Sequence, residues 1–457
     1  MNDYKDFING KRHRIQDSGF ECNYMPEQAF PFQKEIIARS VKKGRMAIFA
    51  DTGLGKTIIQ LSIAKNVTNH TGGKVLIITP IAVGFQFLKD AEFIGIGDDV
   101  EISRDGSYSK TIVLCNYERL HKFESSDFKG VILDESSILK NFKGKTKSHI
   151  TSFIKKVPYR FLSTATPSPN DFIELGTSSE VLGYMGYMDM IGRFFKSTDG
   201  SVDSGNRNIG VKFYLKPHAE DSFFDWVNQW STMCRKPSDI GEFNDERYNL
   251  PELITNTHSV RSDNWITDNG QSLMFAEQAR TMSEVRYEQK LTIDDRCKTA
   301  VKLAKGKTSV YWVNLNMESS IINKLDKDAV EITGAMSIEK KEDILKRFAE
   351  GDIKRIITKA KMTGMGLNWQ HCNHCVFFPT WSYEQYYQAV RRFWRFGQTK
   401  DVNVDIVISE GQGRVTKALK EKAKKADMLY QRLTDSVNGV YQENLIKEEK
   451  LQLPMFK

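Results

Sequence analysis

The stretch RMAIFADTGLGKTIIQLSIAKN, residues 45–66, changes from strand-like to helix-like patterning within a few residues. The apolar run Met46 to Ala50 predicts a buried strand. Apolar side chains then recur at helical spacing, at Ile58, Ile59, Leu61, Ile63 and Ala64. The turn between them, DTGLGKT, contains two glycines and ends in a lysine and a threonine. A strand, a glycine turn and a helix in this order predict a phosphate-binding loop.

The residue types in this loop suit a nucleotide. Gly53 and Gly55 allow backbone N–H groups to close around phosphate oxygens, and the following helix directs its positive end at the same anion. Lys56 is expected to reach the β and γ phosphates of ATP, and Thr57 to bind Mg²⁺. Ala50 stands where the general motif has its first glycine. The predicted nucleotide contacts in the loop are Thr52, Gly53, Leu54, Gly55, Lys56 and Thr57.

A pair of carboxylates follows a second apolar strand, in the segment GVILDESS. Adjacent side chains at the end of a strand point in different directions, so Asp134 and Glu135 can take different roles. We expect Asp134 to hold the Mg²⁺ ion and Glu135 to orient and deprotonate the attacking water. Two solvated acids at a strand end would be the structural alternative, but a phosphate loop upstream favours catalysis.

Length and composition set broad limits. A chain of 457 residues with 40% apolar residues can fill two hydrophobic cores, and a net charge of +8 is compatible with nucleic acid or with a neutral partner. Six scattered cysteines suit a reducing compartment, and no apolar run reaches membrane-spanning length. These features predict a soluble cytoplasmic protein. The cluster HCNHC, residues 371–375, is interpreted as a turn into the strand CVFF rather than as a zinc site.

Further segments carry a resemblance to a known family. They are PFQKEII, LIITPIAVGFQ, CNYERL, DESSILKN, STATPSPNDFIELG, TKAKMTGMGLNW and QAVRRFWRFGQ, in this order along the chain. Their order and spacing resemble superfamily-two helicases and ATPases, and the DESSILKN segment favours the Snf/Swi-type branch of DNA translocases. The resemblance extends from about Gln33 to beyond Gln398. It implies a compact bacterial or phage-like member of that family.

The resemblance also implies roles for individual residues. Gln33 would read the adenine, and Gly366 and Gln398 would lie at the nucleotide. Contacts to nucleic acid would come from Thr79, Pro80, Asn116, Tyr117 and Gly364. Thr164 and Thr166 would couple the ATP site to the nucleic-acid site. Thr363 departs from the family pattern, which usually has glycine there, and leaves the backbone path at Gly364 and Gly366 open.

The segment RRFWRFGQ, residues 391–398, has two interpretations, base stacking and completion of an ATPase site. Ser382 and Gln385 have the spacing of a helix N-terminal cap. On the helix that they predict, Arg392 and Arg395 share one face, and the resemblance makes them the arginine fingers of catalysis. Arg391 would then face DNA, while Phe393, Trp394 and Phe396 would pack and hold the fingers rigid.

The predicted fold class is α/β, with two tandem RecA-like lobes, each a parallel sheet flanked by helices, and a small helical insertion. We predict lobe 1 over residues 1–180, the insertion over 181–249, lobe 2 over 250–410 and a C-terminal helix and tail over 411–457. The phosphate loop and acids would lie in lobe 1 and the fingers in lobe 2. ATP would therefore be hydrolysed between the lobes.

The predicted function is an ATP hydrolase that translocates on or remodels duplex or branched DNA. A strand-separating DNA or RNA helicase and a nucleotide-dependent nucleic-acid clamp without turnover are the alternatives. Lysines from Lys143 to Lys156 are the better candidates for DNA contact, whereas the basic residues of 414–425 are more typical of a solvated helix face. A separate nuclease is a further potential partner.

The tail LQLPMFK resembles a short peptide that docks on bacterial sliding clamps. Gln452, Leu453, Met455 and Phe456 would make that contact. A C-terminal strap packed on one lobe is the alternative interpretation.

Overall fold

The structure is a computed structural model that describes residues 18–80, 83–140, 145–168, 170–197, 213–261, 282–360 and 369–452. The chain divides into two compact units. The first comprises the chain up to Asp245 together with the residues from Ala426 onward, and the second comprises Glu246–Lys425. Among the described residues, no helix is long and apolar enough to cross a membrane.

A seven-stranded parallel sheet forms the centre of the first unit, in the order β3-β4-β2-β5-β6-β1-β9. Its strands are nearly continuous apolar runs because helices cover both faces of a parallel sheet. The strands are β1 (Arg45–Ala50), β2 (Lys74–Thr79), β3 (Val100–Ile102), β4 (Ile112–Asn116), β5 (Phe128–Asp134), β6 (Tyr159–Ser163) and β9 (Ser231–Cys234). The predicted strand before the phosphate loop and the one before the acids are thus confirmed as β1 and β5.

Along the chain, the helices of the first unit precede β1 or connect its strands. They are α1 (Pro31–Lys43), α2 (Lys56–Thr71), α3 (Gly84–Phe93), α4 (Lys145–Ile154), α5 (Leu175–Leu182), α6 (Tyr187–Phe194) and α7 (Glu220–Trp230). Helix α2 begins at Lys56, directly after the glycine turn, as its apolar spacing predicts. A small antiparallel hairpin of β7 (Phe195–Ser197) and β8 (Phe213–Leu215) follows α6.

A helical insertion was expected over residues 181–249, but the described residues of this segment up to Asp245 belong to the first unit itself. Strand β9 pairs in parallel with β1, with Cys234 opposite Ala50, and so supports the strand that leads into the glycine turn. Trp230, at the end of α7, is fully buried with its ring centroid 6.1 Å from that of Phe49. The aromatic residues were correctly interpreted as core, but their core is that of the first unit rather than of a separate insertion.

The second unit contains a six-stranded parallel sheet, in the order β10-β15-β14-β11-β13-β12. Its strands are β10 (Leu253–Val260), β11 (Ser309–Val313), β12 (Ala329–Glu331), β13 (Arg355–Lys359), β14 (His374–Phe377) and β15 (Val402–Ser409). Successive residues of β11 enter different cores, with Trp312 on one face and Tyr311 on the other. Both faces are therefore covered, which agrees with the predicted RecA-like architecture.

The helices of the second unit are α8 (Met282–Leu291), α9 (Ile293–Ala304), α10 (Asn316–Leu325), α11 (Ile338–Glu350) and α12 (Tyr383–Val390). The last helix, α13 (Gly413–Gln452), passes from the second unit into the first. Its predicted apolar positions are buried: Val415 packs against Trp381 in the second unit, and Leu429 and Leu433 join the core of the first.

Candidate active site

The glycine turn after β1 has the backbone that a phosphate loop requires. Gly53 and Gly55 have φ values of 90° and 75°, in the left-handed region that side chains disfavour. A Cβ atom on Gly55 would lie 2.2 Å from Nε2 of Gln33. The turn thus depends on glycine at this position for both conformation and space.

Two side chains predicted to contact the nucleotide lie against this loop. Lys56 Nζ donates hydrogen bonds to the carbonyl oxygens of Ala50 and Asp51, at 3.0 and 3.1 Å. Gln33 is buried, with Nε2 donating to Leu54 O at 2.9 Å and Oε1 accepting from Phe30 N at 2.9 Å. The ammonium group therefore lies over the loop, where phosphate oxygens would replace the two carbonyls. The adenine contact of Gln33 stays a prediction.

Asp134, the last residue of β5, lies in a buried cluster of neutral hydrogen-bond donors. Its Oδ1 accepts from Gln60 Nε2 at 2.9 Å, and its Oδ2 accepts from the Thr79 hydroxyl at 3.1 Å. Burial raises the pKa of Asp134, although the hydrogen bond from Gln60 and the charge of Lys56 act in the opposite direction. A buried carboxylate held by neutral donors keeps its negative charge available to a cation.

The oxygens near the loop are of the type that Mg²⁺ binds. A hydroxyl and a carboxylate, those of Thr57 and Asp134, are hard ligands that would leave the remaining positions to phosphate oxygens and water. Burial raises the pKa of Asp90 of α3, and the Thr57 hydroxyl is among the groups that act in the opposite direction. The residues present therefore fit the metal that the sequence predicts.

Glu135 adopts a strained conformation next to Asp134. Its φ is 52°, and it is the one non-glycine residue with positive φ within the described segments. Such a conformation costs on the order of 1 kcal/mol and is frequent at functional sites. The Thr164 hydroxyl lies 3.5 Å from Glu135 Oε2 and accepts a hydrogen bond from Thr166 N at 3.1 Å. The residues expected to couple the two sites thus reach the predicted catalytic acid.

Four residues expected at the nucleic acid differ from that expectation or leave it open. Thr79 is 3% exposed and its hydroxyl is directed at Asp134. Tyr117 donates its phenol proton to the main-chain oxygen of Asp134, and burial raises the pKa of that phenol. Both side chains belong to the cluster around the acid, since the carboxyl ends of β2, β4 and β5 are neighbours in the sheet. Asn116 and Pro80 are partly buried, and their contacts with nucleic acid stay predictions.

The arginine segment departs from the expected helix. Ser382 caps α12 by accepting from Gln385 N, as predicted, but α12 ends at Val390. Arg392 and Arg395 therefore lie in successive turns, not on one helical face. Arg392 has its guanidinium carbon 5.7 Å from the centroid of the Trp369 ring. Their role as arginine fingers stays a prediction.

Arg391 is not the DNA-facing residue that the spacing suggests. It is 7% exposed, donates from Nη1 to Trp394 O at 3.1 Å, and lies 4.4 Å from the Trp394 ring centroid. The aromatic residues pack as predicted: Phe393 is fully buried, and Phe396 stacks on Tyr248 at 5.1 Å. A guanidinium engaged by a carbonyl and an aromatic face has a structural role.

Gln398, expected at the nucleotide, is also structural. Its Nε2 donates to the carbonyl oxygens of Gln370, Cys372 and Phe393, and its Oε1 accepts from the N–H groups of Thr399 and Lys400. These contacts use the whole amide. The side chain therefore holds the turn after the arginines, and a nucleotide contact would require that turn to open.

The remaining predicted residues either lie outside the described segments or are basic residues within them. Gly364 and Gly366 fall in 361–368, and Leu453, Met455 and Phe456 follow the last described residue, Gln452. Among the lysines proposed for DNA, Lys147 is buried and pairs with Glu180 at 2.6 Å, so it is not a surface contact. Arg414, Lys417, Lys420, Lys424 and Lys425 are exposed on α13.

Two residues with a place in the cluster escaped the sequence prediction. Gln60 donates to both Asp134 and Ser163 Oγ, the latter at 3.2 Å. Tyr430 of α13 donates its hydroxyl to Ala165 O at 2.7 Å, inside the coupling segment, and the Arg235 guanidinium lies 4.0 Å from its ring centroid. A glutamine within the apolar stretch Ile58–Leu61 was the available signal for Gln60. No local pattern marks Tyr430.

Comparison with known proteins identifies two helicase domains in the chain. The DEAD/DEAH box helicase family matches residues 30–174, and the helicase conserved C-terminal domain matches residues 292–397. The uncharacterized ATP-dependent helicase YqhH of Bacillus subtilis is 22% identical over 83% of this chain and 75% of its own length.

More distant relatives carry DNA-repair names. The DNA repair and recombination protein RAD54 of Saccharomyces cerevisiae is 29% identical over 28% of this chain and 15% of its own length. The RAD54-like protein of Gallus gallus is 21% identical over 82% of this chain and 62% of its own. The SWI2/SNF2 ATPase core of Sulfolobus solfataricus, solved with dsDNA, is 15% identical at a TM-score of 0.40, covering 92% of this chain and 95% of that one. The chain carries both helicase domains and is a nucleic-acid-dependent ATP hydrolase, similar to superfamily-two ATPases of the Snf2 type.

Proposed function

We propose that the protein is an ATP-driven motor that moves along duplex or branched DNA. The observation that carries this proposal is the buried cluster at the end of β5, where Asp134 and Glu135 lie beside the coupling segment. In that cluster Asp134, the proposed metal ligand, accepts a hydrogen bond from Gln60, and Glu135, the proposed base, lies 3.5 Å from the Thr164 hydroxyl. Such a connection suits an enzyme in which nucleic acid bound near the coupling segment controls ATP hydrolysis.

In the proposed reaction, Lys56 binds the β and γ phosphates while Thr57 and Asp134 hold Mg²⁺. The metal, when bound, offsets charge on the phosphate oxygens. Glu135 accepts a proton from the attacking water. Arg392 and Arg395 are the proposed arginine fingers. Arginine fingers of this kind contribute about 10³ to 10⁵ in rate.

DNA is the substrate that the relatives support best. The yeast and chicken relatives are named as DNA repair and recombination proteins. Exposed basic residues on α13 suit contacts to phosphates, which would make binding weakly sequence-dependent and strongly salt-dependent. We propose the same substrate class for this chain.

Strand separation is the second candidate, because YqhH is named as a helicase. A clamp without turnover is less well supported, since Lys56, Asp134 and Glu135 form an intact catalytic set. The two enzyme candidates differ in whether ATP hydrolysis is accompanied by separation of the strands.

The proposal is tested by measuring ATP hydrolysis with duplex DNA, single-stranded DNA, forked DNA and RNA. We expect several-fold stimulation by duplex or forked DNA and loss of activity in Glu135→Gln. Glu124→Gln, which changes an exposed acid of the same unit, is the matched control and should retain activity. Stimulation by RNA alone would overturn the assignment of DNA as the substrate. An active Glu135→Gln variant would overturn the assignment of Glu135 as the base.

A further inference from the structure

Gln60 is a buried glutamine on the face of α2 that meets the sheet. It lies one helical turn after Lys56 and is 0% exposed, between the buried apolar residues Ile59 and Leu61. Burying an amide is unfavourable unless its groups are hydrogen-bonded. Its presence at this position therefore calls for a reason other than packing.

Both protons of the Gln60 amide have acceptors. Nε2 donates to Asp134 Oδ1 at 2.9 Å and to Ser163 Oγ at 3.2 Å. The amide orientation follows from chemistry, since a carboxylate can only accept. The amide oxygen, by contrast, has no hydrogen-bond partner among the described residues. The amide is thus held through its nitrogen alone, by the acid and by the end of β6.

We propose that Gln60 is a positioning residue that fixes the Asp134 carboxylate for Mg²⁺ and ties it to the coupling segment. The inference rests on the proposed role of Asp134 as the metal ligand. The Thr79 hydroxyl holds Oδ2 of the same carboxylate, so the two donors together set the orientation of both oxygens. Because both donors are neutral, they orient the acid without cancelling the charge that a cation needs.

The hydrogen bond from Gln60 to Ser163 connects the Asp134 carboxylate to the coupling segment. Ser163 is the last residue of β6, and the next residue, Thr164, reaches Glu135. One side chain therefore touches the acid that holds the metal and the strand that carries the coupling residues. A shift of β6 would move the amide, and the amide would move the carboxylate.

A merely structural glutamine and a positioning one give different results in the variant Gln60→Met. Methionine keeps the length and apolar body of the side chain and removes the unpartnered buried oxygen. It also takes a donor from Asp134 and Ser163, so a lower melting temperature is expected, and the melting curve verifies that the variant is folded. Removing a partner that orients a metal ligand typically costs 10- to 100-fold in metal affinity. We therefore expect an unchanged fold with a weaker response to Mg²⁺.

The experiment measures equilibrium binding of a fluorescent ATP analogue to the full chain while Mg²⁺ is titrated. The half-saturating Mg²⁺ concentration should rise about tenfold or more in Gln60→Met. Ser62→Ala, which removes a buried hydroxyl bonded to Ile58 O on the same helix, should leave it unchanged. If Gln60→Met does not fold, Gln60→Asn, whose amide is one methylene too short, is measured with the same expectation.

An Mg²⁺ requirement within twofold of the wild type in a folded Gln60 variant would overturn the inference. Nucleotide binding by the wild type that is indifferent to Mg²⁺ would overturn it as well, because the metal ligand would then be misassigned. If the wild type needs Mg²⁺ but DNA does not stimulate hydrolysis, the proposed motor function fails while the Gln60 result still decides this inference.

Discussion

Asp134 in the first unit and Asp405 in the second are buried to a similar degree, at 6% and 4% exposure, but their environments differ. Burial raises the pKa of Asp134. Burial also acts to raise the pKa of Asp405, but hydrogen bonds from His258, His374 and Asn256 outweigh it and lower that pKa. The first carboxylate is incompletely compensated, whereas the second has all the partners that it needs.

Position in the sheet explains the difference. Asp134 is the final residue of β5, at the carboxyl edge of a parallel sheet, where ligands bind. Asp405 lies inside β15, where it accepts from His374 Nε2 at 2.9 Å, while His374 Nδ1 contacts Ser309 Oγ at 2.8 Å. This Ser–His–Asp chain is buried throughout, so no substrate can reach the serine. The position of the acid at a strand end, rather than its burial or its hydrogen bonds alone, therefore distinguishes the candidate site.

Asp134→Asn should show the largest effect. Loss of the metal-binding charge is expected to lower ATP hydrolysis at least about 100-fold. Stability should be unchanged or slightly higher, because an uncompensated buried charge is removed. Steady-state hydrolysis and thermal melting of the same preparation test both parts. If the variant hydrolyses ATP normally or melts well below the wild type, Asp134 would not differ from Asp405 in having a functional rather than a structural role.

Asp405→Asn should give the opposite pattern. The amide presents a donor to neighbours that donate, so we expect a loss of about 2 kcal/mol in stability. The hydrolysis rate per folded molecule should change less than twofold. Hydrogen exchange across β14 and β15 locates the loss in the second unit, and Asp401→Asn, at the start of the turn into β15, serves as an exposed control. A selective loss of hydrolysis without loss of protection would contradict a structural role.

Acidification should weaken the second unit through the same network. Burial lowers the pKa of His374 below its usual value of 6.5. The unfolded chain then binds the proton more tightly, so stability is complete above about pH 6.5 and falls below it, by at most about 1.4 kcal/mol per pH unit. The low pKa of Asp405 adds a second loss only below its unfolded value of 3.8.

Hydrogen exchange of β14 at pH 7.5 and 5.5, corrected for intrinsic rates, measures this effect. Protection should fall at the lower pH in the wild type and change less in His374→Gln. Equal pH dependence in the two proteins would show that another group is responsible.

Tyr430→Phe should give the smallest effect and tests whether proximity to the coupling segment is sufficient for function. The lost hydrogen bond to Ala165 O is worth about 1 kcal/mol in stability. We expect hydrolysis to change less than threefold, because the acceptor is a main-chain atom that β6 already positions. A tenfold loss with a normal melting temperature would place Tyr430 with Gln60 in the catalytic cluster.

The sequence correctly predicted the strands, turns and helix cap that depend on the local pattern of residues. The strand, glycine turn and helix around Lys56 and the strand ending in Asp134 are contiguous signals, and both were confirmed. The helix cap at Ser382 is equally local and was also confirmed. The resemblance added Gln33, which donates a hydrogen bond to Leu54 O of the loop, while its adenine contact stays a prediction.

The sequence predictions failed for residues whose environment is set by packing against distant parts of the chain. Arg391 and Gln398 look polar and available in the sequence, but aromatic rings and backbone groups distant in the chain enclose them. Strand β9 is short and follows an aromatic helix, so its place beside β1 could not be read from periodicity. Gln60 was hidden because its partners, Asp134 and Ser163, are far away in sequence.

The central claim is that ATP hydrolysis at the Asp134 cluster drives movement along duplex DNA. Displacement of a third strand from a DNA triplex, with ATP and Mg²⁺ present, measures that movement without requiring the duplex to open. We predict displacement by the wild type and none by Glu135→Gln or with a non-hydrolysable ATP analogue. Robust DNA-stimulated hydrolysis without displacement, or displacement that persists in Glu135→Gln, would contradict the account.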